Sequence, residues 1–184
     1  MLFDLTLTKE LSENDIPQRL VVSSSYELPF GKDKRFFGSA TGLGGKIVEG
    51  WQFNAIYQAQ SGYVFDITGA ESTGQSAEIP NSERSVNGWF NTSVFRQRQT
   101  LELVGLARLP DVRSAGKNNW DISLFKTTTI SEKIRLQFRA ESFNAFNRPE
   151  FSSPGGGFGS ANFAKITSTN TFARQFQFGL KLLW

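Results

Sequence analysis

The chain has 184 residues, enough for one domain, and its 39% hydrophobic content and negative mean hydropathy leave no run of about 20 apolar residues to cross a membrane as a helix. It contains neither Cys nor His, which removes disulfides, thiolate metal sites and the commonest general base, so neither a cofactor nor an enzymatic activity is expected. Its formal charge of +3, from 20 basic and 17 acidic residues spread along the chain, gives no clustered footprint for a nucleic-acid partner.

Residues 1–10 lack the basic start, apolar core and small-residue cleavage site of a secretory signal. The first strand is expected near 19–30, where Leu20, Val22, Ser24, Tyr26 and Leu28 alternate with Arg19, Val21, Ser23, Ser25 and Glu27 and the run stops at Pro29. Residues 31–50 read as a link. Within it, Gly42-Leu43-Gly44-Gly45-Lys46 has Ala40 and Ile47 where a phosphate loop needs Gly and Ser or Thr, so a flexible turn is expected.

The strongest alternation, near 51–67, sets Trp51, Phe53, Ala55, Tyr57, Ala59, Ser61, Tyr63, Phe65 and Ile67 against Gln52, Asn54, Gln58, Gln60, Asp66 and Thr68. It exceeds the roughly 9 to 11 residues of a tilted membrane strand, and ordinary soluble strands are shorter still. Residues 69–118 show no sustained alternation and read as a long loop, despite Leu101, Leu103 and Val104. Asn91-Thr92-Ser93 matches a glycosylation acceptor only formally.

Strands near 119–130 and 134–147 form a hairpin. Trp120, Ile122, Leu124, Thr128 and Ile130 share one face of the first, and Ile134, Leu136, Phe138 and Ala140 one face of the second. For Ile130 and Ile134 to be partners on that face, the turn must be residues 131–133, which sets Thr128 opposite Leu136 and Ser123 opposite Glu141. A second long loop, 148–171, holds Gly155-Gly156-Gly157-Phe158-Gly159, read as a loop tolerating positive φ, with Phe158 and Phe163 as candidate ligand contacts.

The last strand, near 172–184, puts Phe176, Phe178, Leu180, Leu182 and Trp184 on one face and Gln175, Gln177, Gly179 and Lys181 on the other. Apolar residues two apart that finish on an aromatic suit a lipid-facing strand ending at a membrane interface, and the 18 Phe suit the same setting. The fold class is therefore all-β: an antiparallel meander of about five long strands forming the C-terminal part of a transmembrane β-barrel. All six prolines fall outside or at the ends of these strands.

In this reading Trp51, Phe53, Tyr57, Ile122, Leu124, Leu136 and Phe138 face lipid. Gln52, Gln58, Asp121, Arg135, Arg139 and Glu141 face the lumen, where Glu27, Asp121 and Glu141 share polar faces with Arg19, Arg135 and Arg139 as lumen filling, paired to one another or to a plug, rather than as an acid-base site. The closing alternation from Phe176 to Trp184 is the expected signal for the barrel assembly machinery. Running the last strand toward the periplasm puts both long loops outside and the short links inside. The chain is expected in the bacterial outer membrane as a piece of a longer protein, with its plug and N-terminal domains absent.

Several phrases carry a family resemblance. They are Tyr26-Glu27-Leu28-Pro29-Phe30-Gly31, Gly50-Trp51-Gln52 with Gln60-Ser61-Gly62, Trp89-Phe90-Asn91, Asn119-Trp120-Asp121-Ile122-Ser123-Leu124-Phe125-Lys126, and Arg139-Ala140-Glu141-Ser142-Phe143-Asn144-Ala145-Phe146-Asn147-Arg148-Pro149. In order and spacing the chain resembles the C-terminal barrel of TonB-dependent outer-membrane receptors of the Oar-like group, which carry a carboxypeptidase-regulatory-like N-terminal domain. The resemblance implies a plugged barrel of about 22 strands. It implies uptake of a scarce ligand, driven by the inner-membrane proton gradient through the TonB complex, with the rest of the barrel, the plug and outer-membrane lipid as partners. The stretch 96–102 is more charged than that family's usual linker.

Two other architectures stay open. A soluble or surface β-sandwich could use Trp51, Tyr57, Tyr63 and Trp89 as a carbohydrate platform, and would pack its aromatic face on a second sheet. A complete barrel of eight strands would need three more from 1–13 and 69–118. For the leading reading, an open sheet with one apolar face and two free edges is expected.

Overall fold

The computed structural model describes residues 11–98 and 111–184. The expectations placed on residues 1–10, on Leu101, Leu103 and Val104, and on the 99–102 part of the charged stretch lie outside the described residues. The described residues form two compact units. One gathers 20–59, 118–148 and 172–184, and the other 11–19, 60–98, 111–117 and 149–171.

The first unit is a sheet. Its strands are β1 (Arg19–Glu27), β2 (Trp51–Gln60), β5 (Lys117–Thr129), β6 (Arg135–Phe143) and β7 (Gln175–Leu183), hydrogen-bonded in the order β1-β2-β5-β6-β7. The strands β3 (Ala70–Ser72) and β4 (Phe95–Gln97) lie outside it and pair with each other. β1 and β7 each have one neighbour, so the sheet is an all-β antiparallel meander, open at both edges and not closed into a barrel.

Register follows parity. In the β5–β6 hairpin Thr128 pairs with Leu136 and Ser123 with Glu141, and Ile130 N donates to Ile134 O at 2.9 Å to close the turn 131–133. β6 and β7 pair Phe138 with Leu180 and Arg139 with Gly179. At β1 and β2, Leu28 N donates to Trp51 O at 2.8 Å. At β2 and β5, Thr127 N donates to Gly50 O at 2.8 Å. Gly50 has φ +73, and a Cβ there would collide with the Thr127 carbonyl oxygen. Only glycine fits that seam.

The link between β1 and β2 differs from the flexible turn expected of its glycines. It contains a short helix, α1 (Gly42–Val48), ending with Glu49 N on Gly45 O at 3.1 Å. Three glycines in seven residues give poor intrinsic propensity. Side chains from the sheet hold the helix instead: the Trp51 indole N–H donates to Ile47 O at 2.9 Å, and Lys126 Nζ donates to Lys46 O at 2.6 Å and also to Glu49 O.

The second unit carries the buried core, much of it drawn from the long connections 69–118 and 148–171. Phe65, Ile67, Ala70, Ala77, Phe90, Val94, Phe95, Val112 and Ala164 are buried together, with Trp89, Phe158 and Phe163 packed against them. Phe90 lies 5.6 Å from Phe65, 5.8 Å from Phe95 and 5.3 Å from Phe163, mostly edge-on, as aromatic quadrupoles prefer. The alternation of the 51–67 run therefore ends early. β2 stops at Gln60, one further pairing joins Ser114 N to Tyr63 O at 2.9 Å, and from there Val64, Phe65 and Ile67 are all buried, so Phe65 and Ile67 do not continue an exposed apolar face.

Of the glycines at 155–159, Gly159 takes a positive φ of +78, whereas Gly155 and Gly156 are required by crowding. A Cβ on Gly156 would strike Asp66 O, and one on Gly155 would strike Asn162 O. Asn91, a formal glycosylation acceptor, instead caps the 3-10 turn Thr92–Val94 by accepting from Ser93 N at 3.0 Å. Arg113 ties the unit together, with Nη1 donating to Asp15 O at 3.0 Å and Nη2 paired with the Asp15 carboxylate at 2.5 Å.

Phe90 is 3% exposed at the centre of this core, so Phe90→Ala should cost about 3–5 kcal/mol. Limited proteolysis should cut that variant within 61–98 at protease levels that leave the wild type intact. Phe172→Ala, at a side chain 80% exposed, should behave as wild type.

Candidate functional site

Alternation sorts the sheet's side chains into two faces, and the registers decide whether neighbouring strands agree. β6 and β7 bring Leu136, Phe138, Ala140 and Ser142 beside Leu182, Leu180, Phe178 and Phe176, and β5 adds Thr128, Lys126, Leu124 and Ile122 to the same side. The offset at Gly50 and Thr127 continues along β2, so that Trp51, Phe53 and Tyr57 join this face. Tyr57 stacks on Trp120 at 4.6 Å. Across β6 and β7 the rings of Phe138 and Phe178 lie nearly parallel, 6.3 Å apart.

Among the described residues the β7 part of this apolar face is exposed. Phe178 is 70% exposed, Leu180 69% and Trp184 92%, while the buried apolar residues belong to the other unit. A sandwich would have covered it with a second sheet, and the described second sheet is only the pair of three-residue strands β3 and β4. Trp51 is bonded to α1, Tyr57 is stacked on Trp120, and the Trp89 indole donates to Arg113 O at 2.7 Å beside the core. Phe158 and Phe163 also pack on that core instead of standing free for a ligand.

The opposite face is mostly polar, with Ile56, Phe125 and Leu183 as apolar exceptions. Gln52 Nε2 donates to Ser25 Oγ at 2.6 Å and to Asn54 Oδ1 at 2.8 Å, and Gln58 lies further along the same side of β2. Arg139 Nε donates to Gln137 Oε1 at 2.7 Å while its guanidinium lies 4.7 Å above the Phe125 ring. Gly179 stands opposite Arg139, and Glu141 lies between Ser123 and Gln177. Arg135 pairs with Thr129 and Leu183, which makes Leu183 an apolar intruder. Among the described residues Glu27 bonds Lys34 at 3.3 Å, and Asp121 accepts from Asn119 Nδ2 and from a backbone N–H.

Two residues were missed by pattern reading. Lys126 occupies a position on the apolar face, yet its ammonium reaches the carbonyls at the end of α1 and lies 5.7 Å from the Trp51 ring centroid. Asn144, buried at φ +49, joins three segments: its N–H donates to Asp121 Oδ1 at 2.9 Å, its amide donates to Arg148 O at 2.9 Å and Phe172 O at 3.2 Å, and its Oδ1 accepts from Arg148 N. A lone Lys within an apolar alternation and an Asn just after a strand were the available signals. Among the described residues no cluster of acidic side chains is arranged to hold a metal ion.

A protein-family model described as outer membrane beta barrel domain matches residues 2–177. No curated protein and no solved structure matches the chain.

Substitutions at adjacent positions of β7 separate the two faces. Phe178→Arg should cost about 2–4 kcal/mol if its face meets the bilayer core, and should deplete the heat-modifiable folded form in outer-membrane fractions. Gln177→Arg, one residue away on the polar face, should leave that form near wild-type levels.

Proposed function

The chain belongs to the family of outer membrane β-barrel domains and resides in the bacterial outer membrane, and on that footing we propose that it is a barrel segment of a TonB-dependent, Oar-like receptor. Such a receptor takes up a scarce ligand using proton-gradient energy delivered from the inner membrane. The observation that carries the reading is the open five-stranded sheet with an exposed apolar face, a polar opposite face and two unpaired edges.

In hydrocarbon each unpaired backbone group costs several kcal/mol, so β1 and β7 need further strands beside them. Those strands would be the remainder of the barrel. The side carrying Trp51, Phe53, Tyr57, Ile122, Leu124, Leu136 and Phe138 would face lipid. The side carrying Gln52, Gln58, Asp121, Arg135, Arg139 and Glu141 would line the lumen against a plug. Transport through the plug calls for no catalytic group in this segment, in keeping with a chain that lacks Cys and His.

Uptake of labelled ferric siderophores, cobalamin and oligosaccharides should fall when the gene is deleted, and fall equally when the inner-membrane coupling protein is removed. Uptake that survives loss of the coupling protein would mark a passive pore instead. The exposed alternation of Phe176, Phe178, Leu180, Leu182 and Trp184 is also what the barrel assembly machinery would read on this strand. Trp184→Ala should then lower outer-membrane levels and increase periplasmic degradation, whereas Lys181→Gln on the polar face should change neither.

A further inference from the structure

The short helix between β1 and β2 has its amphipathicity inverted relative to a helix packed on a protein core. Its buried residue is Gly45, while Leu43 and Ile47, one turn apart on one face, are 82% and 66% exposed. Lys46 borders that face. The contacts that hold α1 come from Trp51 and Lys126, and both side chains project from the apolar face of the sheet. The helix therefore lies on the side of the sheet that the barrel reading assigns to lipid, at the end where the 131–133 turn joins its strands.

We propose that α1 is an interfacial membrane anchor: Leu43 and Ile47 insert at the boundary between headgroups and acyl chains of the leaflet that meets this end of the barrel, and Lys46 pairs with lipid phosphate. The occupant is phospholipid, because the helix continues an apolar surface that a barrel of this family turns to the bilayer. Trp51 is the kind of aromatic that settles at headgroup level. Lys126 fits the same depth: its stem runs along the apolar side while its ammonium is satisfied by the carbonyl end of the helix, where the helix dipole favours a cation. An interfacial helix of this sort beds its apolar face about 5–10 Å into the headgroup boundary. The anchor would fix the vertical position of the β1–β2 end and resist sliding of the sheet through the membrane.

This inference rests on the barrel reading, and one experiment separates the two. The chain has no native Cys, so Leu43→Cys, Ile47→Cys and, at mid-strand on the apolar face, Leu124→Cys can each carry a fluorescent label. The full-length protein, extracted from outer membranes, is reconstituted into phosphatidylethanolamine and phosphatidylglycerol vesicles bearing nitroxides either at the headgroup or deep in the acyl chain. Labels at positions 43 and 47 should be quenched about twofold more by the headgroup nitroxide than by the deep one, with the order reversed at 124. Quenching at 43 and 47 by aqueous iodide and by neither nitroxide, with 124 still quenched by the deep nitroxide, would overturn the anchor and leave the barrel standing. Loss of lipid quenching at 124 would overturn both. Should a label prevent recovery, maleimide modification of the Cys variants in isolated membranes gives the same reading: slower by several-fold at 43 than at Ser39→Cys for an anchor, and equal at the two positions for a helix in water.

Discussion

Everything in the sheet depends on one constraint, that pairing offsets between neighbouring strands preserve parity. A strand repeats its orientation every two residues, so a slip of one position at any seam would turn apolar residues to the polar side for the rest of the sheet. The four seams hold the same sense, from Leu28 beside Trp51, through Gly50 beside Thr127 and Thr128 beside Leu136, to Phe138 beside Leu180. Both surfaces exist only because these seams agree. The odd-numbered turn at 131–133 is one device that enforces the agreement, and the glycine seam at position 50 is another.

The two units solve the problem of apolar surface in opposite ways. The sheet leaves its large apolar side chains exposed and satisfies its backbone by pairing, the arrangement expected where the surroundings are themselves apolar. The segments between β2 and β5 and between β6 and β7 bury theirs in an aromatic cluster, as a water-soluble domain does. Asn144 sits at the change from strand to connection, where the ladder of β6 ends and its backbone groups need new partners. Its left-handed backbone turns the chain, and its side-chain amide takes over the bonding that the ladder no longer supplies.

Much of the sheet was legible in the sequence because period two is a local signal, carried by runs such as Phe176 to Trp184. The hairpin register followed from parity alone. The connections were not legible, since Phe65, Ala77, Val94, Val112 and Ala164 come together from segments far apart in the chain with no repeating interval to betray them. Helix α1 was hidden for a different reason: its glycines argue against a helix, and it forms because Trp51 and Lys126 supply partners from strands that pair only after folding. Charge composition says which groups share a face but not their spacing along it, so the partners of each carboxylate were not legible. Asp121 is taken up by Asn119 and Asn144.

The collision waiting at Gly50 bears on how this protein can vary through descent and how it can be altered by design. Its φ of +73 and the Thr127 carbonyl against its Cα make it a fixed rivet in the middle of the sheet. Just upstream, residues 38–41 are exposed or half-buried and lie outside every strand and helix. Lineages can therefore lengthen or shorten that link without disturbing the wall, so long as the glycine at the seam is kept. An engineer wishing to display a tag on this end of the sheet has the same freedom, provided that Gly50 and Gly31, whose Cβ would strike Glu49, are both kept.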